Sequence, residues 1–287
     1  MRGCAMQPRS WLRVSRQVPC AICQKPDWCT ATSDGQLACC MRVQSERQAR
    51  NGGWLHRLSG CGGSSAHALP LPPPCDRKLA LDCGAYHGAL RRHWDWRWCD
   101  GLALELGVDM DALEALQPAY DGVNGAFAFP MRTGDGGVCG IRLRARDGRK
   151  WAVRGSSEGL FFDPALTGND DLVVCEGPTD TAAALSLGLR AVGRPSCSGG
   201  NDALAALVRR LGVRRVTMVA DHDTPHHRPD GSVWYPGRDG AAAMARALRR
   251  AWRMVLPPAK DLRAWLHEGA TRQQFDALAA SATWRLG

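Results

Sequence analysis

Two short apolar runs each end in a pair of carboxylates. Leu172-Val173-Val174-Cys175 leads into Glu176-Gly177-Pro178-Thr179-Asp180, and about forty residues later Val219-Ala220 leads into Asp221-His222-Asp223. Each run reads as a strand with acids at its carboxyl end, and in an open parallel α/β sheet that end is where ligands sit. Neighbouring strands would bring Glu176, Asp180, Asp221 and Asp223 to one edge. Four crowded carboxylates repel one another unless a hard divalent cation neutralises them, and Mg²⁺ or Mn²⁺ suits all-oxygen ligation. The chemistry this predicts is phosphoryl transfer, in which carboxylate-held cations polarise a phosphate and activate a hydroxyl.

Spacing refines the picture. Asp180 falls in the first helical turn, four residues after Glu176, so both face one crevice. Asp221 and Asp223 alternate along an extended segment, with His222 opposed. Upstream, Arg142 and Arg144 alternate on one strand face, and Lys150 and Arg154 repeat the pattern on the next. Such a ridge beside a metal site would hold template or NTP phosphates. Arg146 and Arg149 flank the intervening turn and read as solvated charge.

A second constellation lies near the N-terminus, where Cys20, Cys23, Cys29 and the pair Cys39-Cys40 fall within twenty-one residues around an Asp34-Gly35 hairpin turn. Thirteen cysteines without a secretory leader point to a reducing cytoplasm, where clustered Cys signals metal more often than disulfide. Four thiolates can close a tetrahedral, structural Zn²⁺ site in a module too short to fold on apolar burial alone. The expected ligands are Cys20, Cys23, Cys29 and Cys40. Cys39 points to the opposite strand face and is a poor second, and His56 is another replacement. Free buried thiols are the plain alternative.

These residues need elements to hold them. Residues 60–75 run from Gly/Ser-rich to Pro-rich and read as a semi-extended linker. Helical patterning covers 79–98, 102–106 and 110–116, with Gly107 as a stop and Asp109 or Asp111 as an N-cap. Strand-like runs follow at 126–129, 138–143 and 150–153, separated by Gly/Asp turns. From 171 the chain alternates strands (172–175, 190–192, 215–220, 253–256) with helices (near 179–188, 202–211, 239–251, 261–268). That alternation predicts a small parallel sheet with helices on both faces. Trp94, Trp96 and Trp98 could stack bases of a single strand, although two of the three are expected in the core.

The net charge of +9 favours a polyanionic partner. Residues 1–78 carry eleven Lys/Arg against four Asp/Glu, and residues 132–154 carry seven against two. No stretch approaches eighteen consecutive apolar residues, so no membrane span is expected.

From Cys20 to about Gly269 the chain resembles bacterial and phage DNA primases of the TOPRIM type. The resemblance rests on the Cys head, Phe129-Pro130-Met131-Arg132, Gly140-Ile141-Arg142-Leu143-Arg144, Glu176-Gly177-Pro178-Thr179-Asp180 and Ser198-Gly199-Gly200. It continues through Asp221-His222-Asp223, Gly237-Arg238-Asp239-Gly240-Ala241 and Lys260-Asp261. It implies an α/β fold, a TOPRIM parallel sheet flanked by helices, preceded by a mixed α+β basic subdomain and a small zinc-binding β module. The implied domains are a zinc-binding, template-recognising domain (1–60), a linker (61–78), an N-terminal subdomain with the basic ridge (79–168), a TOPRIM catalytic domain (169–270) and a tail (271–287). It further implies Glu176, Asp221 and Asp223 as metal ligands, Asp180 as a supporting carboxylate, Lys260-Asp261 near the triphosphate, and Gly199-Gly200 near the nucleotide. The implied activity is template-directed synthesis of short RNA primers on single-stranded DNA, with Glu176 helping to deprotonate the attacking hydroxyl.

The head departs from the family's usual Cys-His-Cys-Cys set, and an extra loop, Thr224 to Gly231, carries His226 and His227, expected in solvent. No Gly-x4-Gly-Lys-Ser/Thr motif occurs, so the expectation is a stand-alone primase of a mobile element, partnered by a separate helicase. The alternatives are a non-catalytic zinc/TOPRIM DNA-binding accessory protein and a TOPRIM nuclease.

Overall fold

A computed structural model describes residues 11–49, 53–58, 81–227 and 232–287. The chain divides into two compact units, Met1–Pro74 and Cys75–Gly287. The linker expected at 61–78 lies outside the described residues.

The first unit is a four-stranded antiparallel meander: β1 (Trp11–Arg13), β2 (Thr30–Thr32), β3 (Leu37–Cys40) and β4 (Trp54–Arg57). Asp34-Gly35 makes the β2–β3 turn, with the Thr32 hydroxyl and the Gln36 N–H both donating to the Asp34 carboxylate. The apolar cluster of this unit is built on Cys20, Cys29 and Cys40, with Val14, Ile22, Cys23 and Met41 against it. So small a core holds a fold only with a further crosslink.

The second unit starts with three helices: α1 (Cys83–Arg91), α2 (Trp96–Leu106) and α3 (Met110–Glu114). The continuous helical pattern expected over 79–98 is broken at 92–95, because Asp95 turns extended and caps α2 through the Arg97 N–H. Gly107 ends α2 and Asp109 is the N-cap position of α3. An antiparallel sheet follows in the order β5 (Ala119–Asp121), β6 (Ala126–Arg132), β7 (Val138–Arg144) and β8 (Lys150–Ala152). One face packs Ala126, Ala128, Ile141 and Leu143 against Tyr86 and Leu90 of α1. The other packs Phe127, Phe129 and Met131 against α2 and against Ala182 from the next layer. Trp94 and Trp98 pack here too, Trp98 stacked on Tyr120 at 4.3 Å, whereas Trp96 is 62% exposed.

From residue 171 strand and helix alternate: β9 (Asp171–Glu176), α4 (Gly177–Ser186), β10 (Ala191–Arg194), α5 (Asn201–Arg210) and β11 (Arg215–Val219). A small hairpin follows, β12 (His226–His227) and β13 (Val233–Trp234), then α6 (Pro236–Ala247), β14 (Ala251–Val255) and α7 (Leu262–His267). The sheet order is β10-β9-β11-β14, all parallel. Alternation along the buried strands serves both faces. Leu172 and Val174 pack toward α5 and α6, while Val173 and Cys175 pack toward α4 and α7.

The segment 271–287, expected as a tail, is part of this body. It forms α8 (Arg272–Ser281), with a Thr271/Gln274 capping box, and β15 (Arg285–Leu286), which adds antiparallel to β14. Phe275 and Ala279 are buried in the apolar cluster on that face of the sheet, so apolar burial holds the segment to the body. No described helix is long and apolar enough to cross a membrane.

Candidate active site and metal centre

In the first unit the β1–β2 loop carries Cys20 and Cys23, Cys29 precedes β2 and Cys40 ends β3. Their sulfur atoms all lie within 4.8 Å of one another. Cys39, on the other strand face, lines a separate groove with Trp11, Thr30 and Leu55, and His56 Nε2 pairs with the Val43 carbonyl at 3.0 Å. The backbone N–H groups of Met41 and Val43 donate to Cys29 Sγ and Cys40 Sγ, each at 3.3 Å. Burial pushes the Cys29 thiol up to about 12. Against the burial that opposes it, hydrogen bonds from the Lys25 backbone and the other sulfurs draw Cys23 down to about 6. Four converging soft donors fit a tetrahedral Zn²⁺ site. Arg42, which donates from Nη1 toward Cys23 and Cys29 at 3.9 and 3.8 Å, offsets part of the negative charge such a site would carry.

In the second unit the strand order places β9 and β11 side by side, while the chain leaves β9 toward β10 on the far side. That is a topological switch point, where a crevice opens beyond the strand ends. Glu176 is the last residue of β9 and the N-cap position of α4. Gly177, at φ +72°, makes the abrupt turn from strand to helix that an L side chain would strain. Gly193 on β10 lets α4 pack close, since a Cβ there would sit 2.1 Å from Thr181 Oγ1. Asp180 is buried in the first turn of α4, and its Oδ1 accepts the Arg263 N–H at 2.9 Å.

Asp221 and Asp223 follow β11 in extended chain. Between them His222 is pinned from the other side, its backbone N–H donating to the Lys260 carbonyl at 2.9 Å and its ring pairing with the Pro257 carbonyl at 2.7 Å. That contact places Lys260 and Asp261 beside the acidic segment, with Lys260 exposed and Asp261 capping α7 through the Ala264 N–H at 2.7 Å. Asp223 accepts the Gly237 N–H and so anchors the start of α6. Between these anchors lies the β12–β13 hairpin, whose His226 and His227 are exposed, and whose residues 228–231 lie outside the described ones.

The acids feel one another. Burial, followed by the charges of Asp180, Glu176, Asp261 and Asp223, pushes Asp221 up to about 8. Burial and then Asp261 lift Asp180 to about 6, and burial raises Glu176. Among the described residues the four cysteines are the one group of three or more side chains gathered tightly enough to hold a metal ion, and no three of the carboxylates are so gathered. Their all-oxygen chemistry and mutual repulsion fit a hard divalent cation.

The basic ridge meets this crevice in part. Arg144 stands opposite Lys150 in the β7–β8 register, and Arg142 opposite Ala152. The charges of Lys150 and Arg142 act on Glu176, and that of Lys150 also acts on Asp180. Arg142 Nη2 donates to the Pro195 carbonyl at 2.8 Å, while Arg144 turns toward Glu105 of α2 at 3.7 Å. β8 ends at Ala152, so Arg154 falls in the exposed turn beyond it and does not continue the alternation expected from Lys150. Gly199 and Gly200 lead into α5 and line a cleft of about 290 Å³ with Glu158, Ser198 and Asp202.

One residue escaped the sequence reading. Arg194, the last residue of β10, is in register with Glu176 and wholly buried, its Nη2 4.0 Å from Glu176 Oε2. An arginine at a strand end before Pro195 reads as ordinary surface charge, and no local signal distinguishes it.

The fold of the chain resembles that of primase catalytic cores. The Escherichia coli primase catalytic core matches with a TM-score of 0.54 at 15% identity, over 72% of this chain and 80% of that one. The Aquifex aeolicus primase, comprising zinc-binding and RNA polymerase domains, matches at 0.55 and 12% identity, over 71% of this chain and 62% of that one. The RNA polymerase domain of the Mycobacterium tuberculosis primase DnaG, in complex with a double-stranded DNA oligomer with a 6-nucleotide overhang, matches at 0.50 and 18%, over 71% and 80%. No family model and no curated protein matches the sequence.

Proposed function

We propose that this protein is a DNA primase, a nucleotidyltransferase that makes short RNA primers on single-stranded DNA. The observation that carries the reading is the β9–β11 switch point, where parallel pairing sets Glu176 at the end of one strand and Asp221 just beyond the next, with Lys150 and Arg142 near enough for their charges to act on Glu176. A carboxylate cluster alone would suit many metal sites. A carboxylate cluster faced by cations suits two negatively charged reactants, a nucleotide and a nucleic acid.

In this reading residues 169–270 are a TOPRIM catalytic domain, 79–168 its basic partner subdomain, and 1–60 a zinc-bearing template reader. Glu176, Asp221 and Asp223 would hold Mg²⁺ or Mn²⁺, with Asp180 supporting them from beneath. When bound, such cations polarise the α-phosphate and lower the pKa of the attacking hydroxyl. Glu176, whose side chain is partly exposed at the end of β9, would take the proton from that hydroxyl. Lys150 and Arg142 would bind phosphates of template or NTP, with Arg154 adding exposed charge in the turn beyond β8 and Arg144 partly engaged by Glu105. Lys260, exposed beside His222, is available to a triphosphate, and the Gly199-Gly200 turn lets a nucleotide approach the backbone. Asp261 shapes the site by capping α7.

The test is primer synthesis on mixed-sequence single-stranded DNA with labelled NTPs and Mg²⁺ or Mn²⁺, with Asp221→Ala and Glu176→Ala alongside. Short products from the wild type alone support the reading. DNA binding without products, across templates and both metals, would replace it with a DNA-binding accessory role. Template cleavage lost in both variants would make the protein a nuclease.

A further inference from the structure

Arg194 is an arginine where packing alone would select an apolar side chain. Its side chain has no exposed surface and lies against the Met244 sulfur of α6. Nη1 donates to the Cys197 carbonyl at 2.8 Å, while Nε and Nη2 have no hydrogen-bond partner among the described residues. Burying an unpaired guanidinium costs several kcal/mol, and that cost is tolerated only where a counter-charge is close. The neighbouring strand supplies one. Parallel pairing sets Glu176 directly beside Arg194, on the same face of the sheet.

The second arm of the guanidinium reaches a different part of the site. Cys197 lies in the loop that leads to Ser198-Gly199-Gly200, and the same loop is held at Pro195 by Arg142. Arg194 therefore touches both the end of β9 and the loop after β10 from inside the protein, where no substrate can reach it.

We propose that Arg194 is a positioning residue for the nucleotidyl-transfer site, a buried cation that holds the Glu176 carboxylate with one arm and the Pro195–Gly200 loop with the other. This role rests on the primase reading. Arg194 gives Glu176 a fixed counter-charge in a crevice otherwise crowded with acids, and it fixes the spacing between the carboxylate and the glycine turn.

The test is a double-mutant cycle on the full chain, by thermal melting of metal-free protein at pH 8, with Arg194→Met and Glu176→Gln singly and together. Arg194→Met should lower the melting temperature of the wild type, because it strands a carboxylate among carboxylates. In the Glu176→Gln background it should raise it, because there the guanidinium has lost its partner. In primer synthesis Arg194→Met should lower kcat at least tenfold with KM for NTP within threefold, and Arg194→Lys should recover part of the loss. Equal melting shifts in both backgrounds, or wild-type kcat in Arg194→Met, would overturn the proposal. If Arg194→Met does not fold, Arg194→Gln in the same cycle is judged by the same sign change. A wild type that makes no primer overturns the primase reading and this role with it. A wild type that depends on Glu176 but shows no coupling overturns this role alone.

Discussion

Arg142 donates through Nη2 to the carbonyl oxygen of Pro195 at 2.8 Å, tying β7 of the antiparallel sheet to the loop that leaves β10 of the parallel one. Part of a residue that looks like a phosphate ligand is thus committed to holding two layers of the second unit together. Lys150 stands exposed on the neighbouring strand. Substitution should separate the two roles. Lys150→Ala is expected to weaken single-stranded DNA binding and reduce the salt slope by about one unit, with the melting temperature unchanged. Arg142→Ala is expected to weaken binding and also lower the melting temperature. Fluorescence anisotropy across a salt series, with parallel melts, checks both.

The four converging sulfurs predict a single zinc ion per chain. Metal analysis should find it in the wild type and in Cys39→Ser, and lose it in Cys29→Ser and Cys40→Ser. Because so little apolar surface is buried in the first unit, loss of the metal should unfold that unit. The second unit has its own core and should keep its melting transition. A Cys39→Ser protein without zinc would refute this ligand set.

Asp221 gives a pH dependence with a defined sign. Its carboxyl titrates near 8 in the folded protein and near 4 in the unfolded chain, so the folded form binds more protons between those values. Its contribution to stability therefore falls as pH rises through that window and is level below it. Asp221→Asn should be more stable than metal-free wild type at pH 8 by roughly 1–3 kcal/mol, a range discounted for partial exposure, and equal to it near pH 4. Urea titration at the two pH values measures this. Mn²⁺ should raise the melting temperature of the wild type and have little effect on the variant.

Phe275 of α8 is buried against the sheet, and the strand after it pairs with β14. Phe275→Ala is expected to destabilise the second unit by about 3–5 kcal/mol. Deleting 271–287 should cost at least as much, since it also removes the cover over the β14 edge. Denaturant unfolding indistinguishable from wild type would show that this segment is dispensable.

At Gly193 β10 lies too close to α4 to admit a Cβ. A methyl group there would collide with Thr181 and with the Gly177 carbonyl, at the turn that presents Glu176. Gly193→Ala should lower the melting temperature by several degrees and reduce activity beyond what lost folded protein explains, as active-site titration would reveal.

Strands ending in acids, alternation of strand and helix after 171, and cysteines at ligand spacing are all local patterns, and each could be read without coordinates. Hydrophobic periodicity marks an element, and the residue that ends it marks what the element presents. Glu176, Asp221 and the four cysteines were legible for that reason. Strand order and register are not local. The switch point exists because β9 lies between β10 and β11, and Arg194 meets Glu176 because parallel pairing aligned two strand ends eighteen residues apart. The same holds for Asp223, whose carboxylate anchors α6 across a hairpin, and for the final seventeen residues, whose apolar side chains acquire meaning only against the face they cover. Sequence by itself determined which chemistry is present and which segments carry it. Tertiary structure decided which charges share one crevice, because that depends on contacts whose partners are distant in the chain and leave no periodic mark in it.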